Sequence, residues 1–327
     1  MMRTGAVSTA PTDGVPPQLV ERFAEAADRL NPDGDRIGLA VSGGPDSMAM
    51  LLLAHAAIPG AFEVATVDHG LRAQAADECA LVVAACEARG IACATLKVQV
   101  SGGNLQQQAR AARYAALGQW AAQRGLAAIA TAHHADDQAE TLLMRLNRGS
   151  GVAGLAGVRE YVWMAGLDVP VIRPLLQFRR AELATVIEAA GIEVAHDPSN
   201  AADRFDRVRI RKALADADWI DPLAMARSAA FLAEADEALE TITNRAVRDY
   251  LTKTGDGAEL VPPPDRAIAL RVIERIITGM GGSPRGSDVA RLHDRLERGE
   301  GGNIGGVLAT TEDGLWIFRP EPPRRTG

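Results

Sequence analysis

Short apolar blocks alternate with segments of helical period through the first two thirds of this chain. Ile37–Val41, Phe62–Val67, Ile91–Val98 and Leu126–Thr131 are the blocks, each the length of one strand. Between them, apolar residues recur three and four positions apart. Leu19, Val20, Phe23, Ala26, Ala27 and Leu30 predict a helix over 17–30, and Met48, Leu51 and Leu52 predict one starting near Ser47. Further helices are expected over 75–89, stopped by Gly90, and from Asn104 to about 124, where Asn104 and Gln107 have the form of a capping box. Two more are expected over 136–147 and from 178 or 179 to 190, with Val169–Ile172 as a candidate fifth strand. Strand and helix alternate at spacings that fit right-handed crossovers. The pattern therefore predicts an α/β fold with a doubly wound parallel sheet.

Beyond about 215 the strand blocks vanish. Asp221-Pro222 has the form of a cap followed by a first-turn proline, and the helical pattern runs on to about Leu251. Pro262–Asp265 breaks it, helices fit 266–279 and 287–298, and Gly301–Phe318 fits a terminal hairpin. The expected layout is a flexible tail over 1–16, an N-terminal domain over 17–215, a smaller, mainly helical C-terminal domain over 216–320, and a flexible tail over 321–327.

Composition narrows the classes. The apolar fraction of 47% is ample for a core, while aromatics at 4% leave few stacking platforms for single-stranded bases. Net charge is −7, so any nucleic-acid contact must rest on local basic clusters. The three cysteines form no C-x-x-C pair, which argues against a zinc knuckle or disulfide framework; core packing is expected for Cys79, Cys86 and Cys93. No apolar run is long enough to span a bilayer and no signal peptide is evident, so a cytoplasmic protein with no membrane partner is expected. A homodimer is compatible with the sequence.

Three polar motifs sit where strands end, and in doubly wound sheets ligands bind beyond the carboxyl ends of the strands. The first is Ser42-Gly43-Gly44-Pro45-Asp46-Ser47, between a buried strand and a helix start. Glycines let backbone approach a ligand, and free N–H groups at the helix start face a phosphate. A tight turn capped by Asp46 or Ser47 is the plainer alternative. The second motif opens with Asp68, suited to a ribose or base contact or simply to starting a turn. The third, His133 to Glu140, places Asp136, Asp137 and Glu140 in one helical turn. Acids there offset the helix dipole, but three of them directly after two histidines could also bind a cation, either Mg²⁺ or a substrate ammonium. Arg110 and Arg113 can share one helix face and pair with phosphate or carboxylate. Arg148 opens a glycine-rich stretch to Gly157 that suggests a mobile loop near the crevice. Arg204, Arg207, Arg209, Arg211 and Lys212 make a dense basic segment.

The glycine-rich hexapeptide resembles the pyrophosphate loop of the N-type ATP pyrophosphatases, the PP-loop superfamily. Taken with Asp68-His-Gly-Leu-Arg72, Ala109-Arg-Ala-Ala-Arg-Tyr114, Thr131-Ala-His-His-Ala-Asp-Asp-Gln-Ala-Glu-Thr141, Arg148-Gly-Ser-Gly151, Arg173-Pro-Leu-Leu176 and Asp197-Pro-Ser-Asn200, it resembles the tRNA(Ile)-lysidine synthetase family. The likeness spans most of 36–212. Where the family usually shows Arg-Asn ahead of Ile-Arg, this chain has Val208 in place of the Asn. The resemblance implies ATP as substrate with Mg²⁺, isoleucine tRNA with anticodon CAU, and free L-lysine. It implies adenylation of C2 of the wobble cytidine with release of pyrophosphate, then attack by the lysine amine with release of AMP, so that the tRNA reads AUA in place of AUG. On this reading ATP is held by Ser42, Gly43, Gly44, Pro45, Asp46, Ser47 and Asp68, and Asp46 is the candidate Mg²⁺ ligand. Arg113 stabilises the adenylate; Asp137, Glu140 and more weakly His133 hold lysine; Arg148, Arg204, Arg207, Arg209, Arg211, Lys212 and the helical domain contact tRNA. The catalytic set is Asp46, Arg113, His133, Asp137 and Glu140.

A tRNA 2-thiolation enzyme is the nearest rival and would want a reactive cysteine pair at the crevice. A GMP- or NAD-synthetase-like ligase leaves the basic segment without a purpose. A non-catalytic ATP-sensing module would release no pyrophosphate.

Overall fold

The computed structural model describes residues 14–70, 74–99, 105–195 and 206–321. The capping-box pair at Asn104, the Asp197–Asn200 turn, Leu71, Arg72, Arg204 and most of both tails lie outside the described residues. The chain divides into two compact units, Met1–Ala233 and Glu234–Gly327. The division falls within one long helix, beyond the change in pattern near 215.

The first unit contains α1 (Pro17–Leu30), β1 (Ile37–Ala40), α2 (Pro45–Ala57), β2 (Phe62–Asp68), α3 (Gln74–Glu87), β3 (Cys93–Lys97), α4 (Leu105–Arg124), β4 (Ile129–Ala130) and α5 (Ala135–Leu146). It continues through α6 (Val152–Leu155), β5 (Tyr161–Val162), β6 (Val171–Ile172), α7 (Arg180–Ala190) and α8 (Asp206–Ala215). The strand order is β3-β2-β1-β4-β6-β5; every pair is parallel except the edge strand β5 against β6. The order reverses at β1, so β1 and β4 flank the switch point, the place where such sheets bind ligands.

Two apolar cores cover the sheet. One gathers α1, α2, α3 and α7 around Phe23, Met50, Leu53 and Phe178, all essentially inaccessible. Helix α2 is buried on every side from Ser47 to Ala54, which accounts for its lack of a polar face. The other core packs Tyr114, Leu117 and Trp120 of α4 against Ala65, Ile129 and Val171. Gly38 of β1 is required there: a Cβ would lie 2.5 Å from the Trp120 ring.

The glycine-rich stretch after Arg148, expected to be mobile, is tied down. Gln138 of α5 donates to Val158 O at 2.9 Å and accepts from Val158 N at 2.7 Å. Arg145 donates to Gly157 O at 3.1 Å and also to Gly154 O. Gly157, at φ +65°, has no room for a Cβ beside Gln138.

Helix α9 (Pro222–Tyr250) begins in the first unit and ends in the second. The second unit adds β7 (Leu251–Thr254), β8 (Gly257–Leu260), α10 (Arg266–Gly279), α11 (Gly286–Leu296), β9 (Gly302–Ile304), β10 (Val307–Glu312) and β11 (Leu315–Pro320). The expected helices and terminal hairpin are present. The hairpin is also the centre of a five-stranded antiparallel sheet, ordered β7-β8-β11-β10-β9, which the helical pattern did not reveal and on which the helices of this unit pack. Its core packs Val272, Ile273 and Ile277 against Leu260, Val307 and Phe318.

Candidate functional site

Strand β1 ends at Ala40, and after Val41 the chain turns through Ser42, Gly43 and Gly44 into α2. Gly43 sits at φ +84°, and a Cβ on it would come within 2.9 Å of Glu78 O, so glycine is required twice over. Gly44 is the N-cap residue of α2 and Pro45 its first residue. Ser47 holds the loop closed: its Oγ donates to Gly44 O at 3.0 Å and accepts from Ser42 N at 3.1 Å. No side chain caps α2, so its first N–H groups remain available to an anion.

Across the switch point, β4 delivers Thr131 to His134 and the start of α5. His134 was not singled out from its neighbour in the sequence, yet it is the buried one. Its side chain is inaccessible, with Nε2 3.5 Å from Asp46 Oδ2 and 3.5 Å from Asp137 Oδ2, and Nδ1 3.7 Å from Asp136 Oδ2. It thus joins the loop of β1 to the acids of α5. Burial raises the Asp46 pKa, but His134, then Arg180 and Arg211, more than offset this and hold the carboxyl below its ordinary value. His133 places Nδ1 3.1 Å from Thr131 Oγ1. Burial, followed by the Arg173 guanidinium, pushes its pKa down to about 4, so the ring is neutral near pH 7.

The acids of α5 have partners. Asp136 Oδ2 accepts from Arg180 N at 2.8 Å. Asp137 Oδ1 accepts from Arg207 Nη2 at 2.9 Å. Glu140, only 1% exposed, accepts from Arg207 Nε and Arg211 Nε at 2.7 Å each, with Arg180 Nη2 at 3.5 Å. Burial pushes its pKa up; the bonds from Arg211 and Arg207 outweigh this and leave it lowered. Arg180 is a second residue that the sequence did not single out.

Two adjoining cavities lie over the switch point. The larger, about 660 Å³, is lined by Ser42, Gly44, Pro45, Asp46, Ser47, Arg113, Thr131, His133, Asp137, Arg180, Arg207 and Arg211, among others. The smaller, about 230 Å³, shares Ala40, Ser42, Arg113 and Leu117 with it and has small walls from Ala65, Thr66 and Val67. Residues from three distant parts of the chain therefore meet here. At the end of β2 it is His69 that lines the smaller cavity, while Asp68 accepts from Gly70 N at 2.8 Å and closes its own turn.

The basic segment divides by helix face. Arg207 and Arg211, four residues apart, point at the acids of α5. Arg209 and Ile210 instead line a separate groove of about 470 Å³ with Leu143, Met144, Asn147 and Arg148. Lys212 is exposed and Val208, where the family pattern has Asn, is buried. Cys79, expected to pack in the core, is buried and also lines the smaller cavity. It accepts from Thr66 Oγ1 at 3.4 Å, and burial pushes its thiol pKa up, which disfavours the thiolate. Among the described residues no cluster of three or more His, Cys, Asp or Glu is arranged to hold a metal. Asp46 alone suits an ion such as Mg²⁺, which arrives with phosphate oxygens and needs only one or two carboxylates.

A family model described as a PP-loop domain matches residues 17–217. A tRNA(Ile)-lysidine synthase from Novosphingobium aromaticivorans is 47% identical over 310 residues, spanning 93% of this chain and 94% of that protein. A protein of the same name from Zymomonas mobilis subsp. mobilis is 38% identical, spanning 90% and 91%. Among solved structures, the U34-tRNA thiolase NcsA from Methanococcus maripaludis with its [4Fe-4S] cluster aligns at TM-score 0.55 and 17% identity, over 66% of this chain and 79% of that one. That likeness extends to the fold alone.

Proposed function

The chain belongs to the tRNA(Ile)-lysidine synthase family, and we propose from that membership and from the cavity how its residues divide the work. The protein is a ligase of tRNA modification that uses ATP to form lysidine on tRNA(Ile). The observation that carries this reading is near end-to-end similarity to proteins of that name, joined to a cavity that brings the phosphate loop and the acids of α5 together.

We assign the triphosphate to the backbone N–H groups of Gly43, Gly44, Asp46 and Ser47 and the adenine to the smaller cavity, whose alanine and valine walls leave room for a flat ring. Mg²⁺, held by Asp46 and phosphate oxygens, would neutralise charge developing between the α and β phosphorus atoms. The C2 oxygen of the wobble cytidine attacks the α phosphorus, the bond to the β-phosphate oxygen breaks, and pyrophosphate leaves. Arg113, which lines both cavities, is placed to stabilise the α-phosphate or the adenylated base. The lysine ε-nitrogen then forms a bond to C2 as the C2–O bond breaks and AMP departs.

Lysine enters as an ammonium with a reference pKa of about 10.4, and it must lose a proton, to solvent water, before attacking. Asp137 and Glu140 supply the negative charge that holds it. His133, with a pKa of about 4, is a weak base at neutral pH. Its part is that of a neutral hydrogen-bonding wall and not of proton acceptor. tRNA phosphates are assigned to Arg148, Arg209 and Lys212, with the apolar floor of the 470 Å³ groove available to a neighbouring base.

The decisive experiment measures incorporation of labelled lysine into an unmodified isoleucine tRNA with anticodon CAU, beside a methionine tRNA with the same anticodon. Labelling of the isoleucine transcript alone is expected. ATP cleavage to AMP and pyrophosphate with no labelling would overturn the lysine assignment.

A further inference from the structure

Arg207 and Arg211 lie at an intersection that the assignments above leave unexplained. Both line the 660 Å³ cavity beside Gly44, Asp46 and Ser47. Both are also bonded to the two carboxylates assigned to lysine: Arg207 to Glu140 and Asp137, Arg211 to Glu140. While these bonds stand, Asp137 and Glu140 are already neutralised and have little to offer an ammonium.

The two sides of these pairs differ in freedom. The Glu140 side chain is 1% exposed and fixed on α5, whereas those of Arg207 and Arg211 are 44% and 32% exposed. The guanidiniums can turn and the carboxylate cannot follow. A triphosphate entering beside Gly44 and Ser47 offers the guanidiniums the same bidentate geometry as a carboxylate with more negative charge and more acceptor oxygens. Once the arginines leave, the buried Glu140 keeps only the more distant Arg180 Nη2, 3.5 Å away, and has lost both of its short bonds, a state that favours a further cation.

We propose that Arg207 and Arg211 are exchange ligands, which hold Asp137 and Glu140 before ATP arrives, turn to its β- and γ-phosphates when it binds, and so release both carboxylates to the lysine ammonium. ATP binding and lysine binding are then coupled, and the coupling is reciprocal. The single ammonium then faces two carboxylates, and Arg180, 3.5 Å from Glu140, remains as the second cation.

The lysine half of this proposal rests on the assignment of lysine to Asp137 and Glu140; the phosphate half does not, and the test separates them. Isothermal titration of the full chain with inorganic pyrophosphate comes first. Arg207→Gln with Arg211→Gln is expected to weaken pyrophosphate binding by about tenfold or more, while Arg207→Lys with Arg211→Lys keeps part of the affinity. Asp137→Asn with Glu140→Gln, which frees the guanidiniums, is expected to tighten it severalfold. If the Gln pair binds pyrophosphate like wild type, or the acid variant binds it no better, the proposal is overturned. Circular dichroism confirms that each variant is folded.

Titration with L-lysine follows, with and without α,β-methylene-ATP. The analogue is expected to tighten lysine binding by roughly tenfold, within the usual range of such coupling. The Gln pair should bind lysine without nucleotide as tightly as wild type does with it. Equal wild-type affinity in both states refutes the exchange. Should the pyrophosphate results hold while Asp137→Asn with Glu140→Gln leaves lysine affinity unchanged, the lysine assignment fails and the phosphate role stands.

Discussion

Glu140→Gln isolates what a single buried carboxylate does for the fold. Glu140 accepts two short bonds, from Arg207 Nε and Arg211 Nε, both 2.7 Å. Gln keeps the volume but replaces one oxygen with an NH₂, so one of these bonds becomes donor against donor. Removing one partner of a fully buried pair costs about 3–5 kcal/mol. Here the side chains of Arg207 and Arg211 are 44% and 32% exposed, so both charges regain water, and the loss of one charge-assisted bond, about 2 kcal/mol, is the better figure. For a unit of this size that lowers Tm by roughly 4–8 °C near neutral pH. The pH dependence has a definite sign. The Glu140 pKa is lowered from 4.5 in the folded chain, so its contribution is present above that value and is lost as pH falls through the folded pKa. Thermal melts of both proteins followed by circular dichroism, from neutral pH downward in steps, should show a constant gap that closes in acid. Equal Tm at neutral pH would refute the stabilising role, and a gap that widens on acidification would refute the assigned pKa direction.

Gly43→Ala forces a side chain into φ +84° and against Glu78 O, at about 1–2 kcal/mol for the backbone alone, and should abolish ATP–pyrophosphate exchange while the chain stays folded; retained exchange would remove the loop from the phosphate site. Because the His133 pKa is pushed down to about 4, its ring proton shifts in an NMR titration should stay flat from neutral pH to about 5; a midpoint between 6 and 7 would contradict this. Arg148→Gln with Arg209→Gln should reduce the salt slope of tRNA binding by about 0.7–0.9 for each phosphate that is no longer neutralised, and an unchanged slope would exclude the groove. Asp137→Asn should raise the lysine requirement more than the ATP requirement in steady-state kinetics; an equal effect would sink its proposed role.

Much of the first unit was legible in the chain. A run such as Ile37–Val41 followed by Ser42–Ser47 carries its own explanation, because strand, glycine turn and helix start are local. The same holds for the acids that open α5 and for the terminal hairpin, which the structure turns at Asp313-Gly314, both at positive φ. Strands β7 and β8 were missed although they form a local hairpin across Gly255 and Asp256. Each is four residues long, and β8 is stabilised by β11, which lies far along the chain. A strand held by a distant partner leaves little periodicity of its own.

The site shows the same boundary. Which residue types end each strand, and hence that a phosphate loop and three acids would face one crevice, follow from local spacing and the rule of the switch point. Which histidine is buried, and which arginines of the 204–212 segment turn inward, do not. His133 and His134 are neighbours with identical chemistry, and only the meeting of the chain ahead of α5 with the first turn of α2 buries His134 between Asp46 and Asp137. Likewise Arg207 and Arg211 differ from Arg209 only by helix face, and it is α5 lying against α8 that makes one face a site and the other a groove. Sequence determines what each element offers; packing between elements far apart in the chain decides which of those groups meet, because burial and ion pairing depend on distances that no local pattern encodes.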